Sequence, residues 1–248
     1  MTDLVIQTIL LSFILLGIHS YFGLEIVRRG IVFADIAVAQ FSAAGLALSL
    51  LLSGEPSYLI SVVFALLAGF LVALSKRVGE YSEAFIGLLY AFGFSAIVLL
   101  LSRSPHGMED YLRLTASDIL FVSRREIVET GILYASLGFL LYLRRHIKGD
   151  FFRELLFFTL FALTVASSVK LVGVLVVFSI LVAPALVSVM LGKGLIFAWV
   201  YGAAVNTAGI LLSFRLDLPT GFSLVFFHAL LGVALTVYVA TFRRRKGY

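Results

Sequence analysis

Arg28–Gly45, RRGIVFADIAVAQFSAAG, opens on two cations and then runs apolar, yet it carries Asp35 and Gln40 five residues apart. A carboxylate in hydrocarbon costs roughly 2.5–3.5 kcal/mol on insertion scales, so it needs a partner, water or a task. Whether this stretch lies in a membrane therefore decides the fold. Its flanks answer the question. The chain upstream, from Leu4 to Val27, and downstream, through Leu52, is almost continuously apolar.

The rest of the chain repeats that pattern. Of its 248 residues 61% are hydrophobic and 13% charged, with a mean hydropathy of +1.10. A soluble domain is about 45–50% apolar and about 25% charged. The chain is an integral membrane protein, and no segment reads as a separate soluble domain, so residues 1–248 form one transmembrane domain. Only helices and closed barrels satisfy their own backbone in lipid, and helices need about 20 apolar residues to cross. Runs of that kind occur at about 4–27, 31–53, 57–75, 84–102, 127–143, 154–169, 172–191, 195–214 and 221–242. The fold class is thus all-α and polytopic, with eight or nine transmembrane helices. The count turns on 154–191, which is either two crossings or one crossing and a broken piece, with the break near Lys170 and Gly173.

Charge placement orients the spans. The net charge of +5 sits in short clusters between apolar runs: Arg28–Arg29, Lys76–Arg77, Arg144 to Arg153, Lys193, and Arg243 to Lys246. That pattern reads as topology and not as a nucleic-acid surface. With nine crossings all these clusters fall on one side, which the positive-inside rule makes cytoplasmic, together with the C-terminus, while Arg103, Arg113, Arg124, Arg125, Lys170 and Arg215 fall on the other. The loop 103–126 is then extracytoplasmic or interfacial, and its tail, ASDILFVSRREIVE, places Ser117 as a cap before a short interfacial helix. The loop 144–153 is cytoplasmic. The N-terminus lacks a basic n-region and reads as the first span.

Several chemistries are excluded. There is no cysteine, hence no disulfide and no thiolate metal cage. His19, His106, His146 and His228 are too scattered to suggest a zinc site. No HExxH, GxSxG or GxxxxGK[ST] occurs, so the chain carries no P-loop of its own. Asp35 and Gln40 remain. One reading puts Asp35 at a helix N-terminus, where a carboxylate is favoured, and pairs it with Arg28 or Arg29. The other turns Asp35 or Gln40 toward a water-filled path. Five residues at about 100° each separate the two by about 140°, so a regular helix cannot point both squarely into one pore. Gln40 lies a turn deeper and is the better path residue, and the small residues Ser42 to Gly45 after it allow close helix packing. Pro184 should remove a hydrogen bond and kink its span. Asn206 reads as an interhelical hydrogen-bonding residue. The turn FRLDLPTG, Phe214–Gly221, is architectural, with Asp217 capping or pairing with Arg215.

Four stretches in order resemble the ABC-3 family, the membrane subunits of bacterial ABC importers for zinc, manganese and iron. They are RRGIVFADIAVAQFSAAGLAL, EAFIGLLYAFGFSAIVLLLS (83–102), SSVKLVGVLVVFSILVAPALVSVML (167–191) and FRLDLPTG. The likeness spans most of 5–102 and 154–242. It implies a permease in the bacterial cytoplasmic membrane, with no enzymatic activity and no tightly bound cofactor. The chain would work as a homodimer with a cytoplasmic ABC ATPase dimer, which binds the ATP, and an extracytoplasmic metal-binding protein. The transported species would be a divalent metal ion touching Asp35 and Gln40 in passing.

Many members carry Asp-x-x-x-His in the second helix. Alignment on Gly45 puts Gln40 at the histidine and Asp35 one residue before the aspartate. The family's cytoplasmic stretch that contacts the ATPase is compressed here to RRHIKGDFFRELLFF (144–158), with Asp150, Phe151, Arg153 and Glu154 as its remnant. The alternatives are a stand-alone metal channel or secondary transporter, a permease for a metal chelate, and, more weakly, a non-transporting scaffold.

Overall fold

The computed structural model describes residues 2–104, 109 and 119–243. Among these there are nine α-helices and no strand. They are α1 (Thr2–Arg29), α2 (Phe33–Ser53), α3 (Tyr58–Ser75), α4 (Ser82–Leu101), α5 (Arg124–Leu143), α6 (Asp150–Val172), α7 (Val174–Met190), α8 (Leu195–Leu216) and α9 (Thr220–Arg243). Each corresponds to one of the nine apolar runs. Among the described residues seven segments are long and apolar enough to cross a membrane, counting Tyr58–Leu101 once. That run is in fact two helices, separated by a 3-10 turn, Lys76–Tyr81, in which Gly79 takes φ 68° and ψ −128°. At 17 residues α7 is the short one.

Helix ends follow local chemistry. Gly54 closes α2 in the left-handed region at φ 75°, its N–H bonding Leu50 O at 2.9 Å. The break foreseen near Lys170 falls at Gly173, φ 81° and ψ 166°, the single residue between α6 and α7. Asp217 ends α8 at φ 51°, and Leu218 N–H reaches Ser213 O at 2.9 Å, so its role is a backbone cap. Ser117 lies outside the described residues. The start of α5 is set by Ser123 and Glu126 instead. Ser123 Oγ and N–H donate to Glu126 Oε2 at 2.8 and 3.0 Å, and Glu126 N–H returns to Ser123 Oγ at 3.3 Å. This S-x-x-E pair is a capping box that the sequence reading passed over. The 144–153 loop is also shorter than read: a 3-10 turn covers Arg144–His146 and α6 begins at Asp150.

The helices gather into two compact units. One comprises Met1–Gly30, Asp118–Ile127 and Leu175–Tyr248; the other comprises Ile31–Ser117 and Val128–Val174. In the first, α8 packs on α1 and α9. Close approach is made by glycines: a Cβ on Gly23 would lie 2.2 Å from Leu181 O of α7, and one on Gly202 would lie 2.4 Å from Leu16 and 3.1 Å from Pro184. The helix α7 runs continuously through Pro184, whose ring covers Gly202. Asn206 fulfils its interhelical reading. It donates to Ser12 O at 3.3 Å and accepts from His228 Nε2 at 2.7 Å, tying α1, α8 and α9 in a fully buried network. Trp199 Nε1 donates to Gly17 O at 3.0 Å nearby.

In the second unit α2 is central, packed against α3, α4 and α6. Gly45 presses on the backbone of Ile60 and Ser61, Gly93 on Gln40 and Phe41, and Gly69 on Phe158. Ser42 and Ser61 share a 2.7 Å hydrogen bond across the α2–α3 seam. Tyr134 of α5 meets Ser167 Oγ at 3.1 Å and Ser168 Oγ at 2.5 Å on α6. The Lys170 ammonium sits 5.2 Å from the centroid of the Tyr58 ring, a cation–π contact that accommodates this cation beside the break.

Candidate functional site

The polar residues of α2 come first. Asp35 occupies the first turn of the helix and is fully buried. Neither of its carboxylate oxygens has a hydrogen-bond partner among the described residues. The pairing with Arg28 or Arg29 is therefore not what the fold provides. Arg29 is held within α1 by Glu25, at 3.0 Å one turn back. What remains of the electrostatic reading is the helix N-terminus, whose positive dipole end favours a negative charge. Gln40 is 9% exposed, and its Cβ lies where a side chain on Gly93 of α4 would go, 3.0 Å from it. The gap that glycine leaves lets α4 close over the Gln40 position. Among the described residues no group of three or more His, Cys, Asp or Glu converges to hold a metal.

Glu83 was missed as a site residue, although it opens one of the quoted motifs. It stands in the first turn of α4, and its Oε1 accepts the N–H of Phe33 at 3.2 Å. That is the first N–H of α2, one of four such groups that a helix leaves unpaired at its start. The nominal N-cap, Val32, has no side chain able to do this. The other oxygen of Glu83, Oε2, is buried and has no hydrogen-bond partner among the described residues. The 50-residue separation hid this link, because no local spacing rule joins a helix start to a carboxylate on another helix.

The expected ATPase-contact residues separate into two groups. Glu154 faces inward, its side chain 15% exposed, bonded to Arg144 at 3.3 Å and Lys76 at 3.8 Å. Arg144 also donates from Nε to Arg153 O at 2.9 Å and lies over the Phe157 ring, 4.7 Å from its centroid. Asp150 and Arg153 pair with each other at the surface. Phe151 is 45% exposed with Arg77 over its ring, and Phe152 beside it is 64% exposed. The start of α6 thus presents two exposed aromatic rings, one of them under Arg77, on a base held by the Glu154 pairs.

Comparison with known proteins identifies the family. A family model described as "ABC 3 transport family" matches residues 1–148 and 147–239, and its two pieces meet at the compressed turn before α6. A "Probable metal transport system membrane protein" of Thermotoga maritima is 30% identical over 216 residues, 79% of this chain and 76% of that one. A "Probable iron transport system membrane protein" of Haemophilus influenzae is 24% identical over 92% of this chain and 88% of its own length. In three dimensions the chain is similar to a chain of PsaBC from Streptococcus pneumoniae, solved in complex with Fab. There the TM-score is 0.72 at 19% identity, over 92% of this chain and 89% of that one. An inward-facing putative metal-chelate type ABC transporter gives a TM-score of 0.67 at 20% identity, over 94% and 85%. The polytopic helical fold, the match over nearly the full length and the likeness to metal-transport membrane proteins agree, and the chain belongs to the ABC 3 transport family.

Proposed function

We infer that this chain is the membrane-spanning subunit of an ATP-driven importer of a divalent metal ion: zinc, manganese or iron. Two copies would form the pathway, with a separate cytoplasmic ATPase dimer supplying the energy and an extracytoplasmic metal-binding protein delivering the cargo. The protein would lie in the bacterial cytoplasmic membrane. Nine alternating crossings would put Arg28–Arg29, Lys76–Arg77, the Arg144 to Arg153 stretch, Lys193 and the C-terminus on the cytoplasmic side, and leave Arg103, Arg113, Arg124, Arg125, Lys170 and Arg215 on the other.

The observation that carries the reading is Asp35. A buried carboxylate with both oxygens unpartnered is costly inside a membrane helix, and such residues mark ion paths. Transport needs sites strong enough to be entered and weak enough to be left, which fits a lone carboxylate and an amide better than a closed cage. A homodimer doubles each contribution. Asp150, Phe151 and Arg153 would meet the ATPase, with Glu154 holding that face in place. No cofactor is needed beyond the transported ion and ATP on the partner.

The test is ATP-dependent uptake of radiolabelled zinc, manganese or iron into proteoliposomes holding the complete transporter. An Asp35→Ala, Gln40→Ala double variant should fall by at least about tenfold, since the path would lose both polar contacts. Uptake at the wild-type rate overturns the pore assignment. A second reading, a permease for a metal chelate, draws on the likeness to the metal-chelate type transporter. Competition between free and chelated metal distinguishes it. Uptake that proceeds without ATP would instead support a channel or secondary transporter, the outcome that the short turn before α6 favours.

A further inference from the structure

The functional reading leaves open how a face at residues 144–154 could act on α2. We propose that Glu83 is the positioning residue that joins them. All the parts lie in the unit containing α2, α3, α4 and α6. At the start of α6, Glu154 holds Lys76 at 3.8 Å and Phe151 sits under Arg77 at 5.7 Å. Lys76 and Arg77 open the turn Lys76–Tyr81, which folds about the left-handed Gly79. The turn is closed by Ser82, whose single hydroxyl proton is shared between Gly79 O at 2.5 Å and Ser75 O at 2.8 Å. The next residue is Glu83, and its Oε1 takes the Phe33 N–H at 3.2 Å. Phe33 also stacks on Tyr90, two turns further along the same face of α4, with centroids 6.4 Å apart. Two residues beyond Phe33 is Asp35.

The chain of contacts is short and continuous, made of an ion pair, a cation–π contact, hydrogen bonds and a ring contact. Displacing the start of α6 pulls on Lys76 and Arg77, the turn moves with Ser82, and Glu83 transmits this to the first turn of α2. That turn carries the unpartnered Asp35 carboxylate, so its position decides where the charge stands in the path. Glu83 acts through the Phe33 N–H and touches no transported ion in this account. What it needs is an acceptor oxygen at that place, and not its charge.

This proposal rests on the importer reading, and its test keeps the two apart. Hydrogen–deuterium exchange is measured on the purified chain in lipid nanodiscs, and transport on the complete transporter in proteoliposomes. Glu83→Ala should speed exchange across Phe33–Asp35 by about fivefold, as loss of one bond at a helix start implies. Lys76→Ala, far from α2, should move the same amides by about twofold if the contacts are coupled. Glu83→Gln keeps the acceptor and should match the wild type. In proteoliposomes Glu83→Ala should keep ATP hydrolysis while metal delivered per ATP falls by about tenfold, and Glu83→Gln should restore the ratio. Unchanged exchange in Glu83→Ala, silence at Phe33 in Lys76→Ala, or a Gln variant as impaired as the Ala variant overturns the proposal. Absence of ATP-driven uptake by the wild type refutes the importer reading, and exchange still decides whether the turn governs α2.

Discussion

Gly45→Ala should destabilise the chain, while the same substitution at Gly138 should not. A Cβ on Gly45 would stand 2.8 Å from Ile60 O and 2.9 Å from Ser61 Cα. Both are backbone atoms, so no side chain can swing aside and α2 and α3 must separate. Overpacking of this kind costs about 1–3 kcal/mol. The Ser42–Ser61 hydrogen bond, 2.7 Å long and on the same seam, stretches as the helices part. Such bonds are worth about 0.6 kcal/mol on average in a membrane protein. Against this, alanine is the better helix former by about 1 kcal/mol. The net is a loss of about 1.5 kcal/mol. At Gly138 a Cβ meets nothing within 4 Å, so only the propensity gain remains. The two variants should therefore differ by about 2.5 kcal/mol, more than tenfold in the unfolding constant. Reversible unfolding by SDS in mixed micelles measures that difference. A Gly45→Ala protein as stable as Gly138→Ala would refute the view that α2 and α3 meet backbone to backbone.

Three further outcomes are expected. Asp35→Asn should raise the thermal midpoint at alkaline pH, where the carboxylate is ionised, while lowering metal uptake, because it removes a buried, unpartnered charge that stability alone would not keep; a lower midpoint argues against this. Asn206→Leu leaves the His228 Nε2–H and the Ser12 carbonyl without their partner and should cost about 1–3 kcal/mol, read in the same SDS titration. Tyr134→Phe should cost less, about 1 kcal/mol at most, because Ser167 and Ser168 already donate to Thr164 O and stay satisfied; a loss equal to that of Asn206→Leu would contradict this accounting.

The sequence by itself determined the helices. Each apolar run became one helix, with ends shifted by a few residues, because lipid leaves a backbone no other partner than itself. The Gly173 break was legible in the sequence, as was Asn206 as a polar bridge: a lone amide in a span has to find another helix. Partner choice was decided only in three dimensions. Arg29 turned to Glu25 on its own helix, and Asp35 was left buried and alone. The Phe33 N–H found Glu83, 50 residues away, and Glu154 turned inward to Lys76 and Arg144 while Phe151 stayed at the surface. Periodicity says which face of a helix is polar, but a hydrogen bond is set by distance and direction between two atoms. Those depend on where the glycines at 45, 69 and 93 let the helices close.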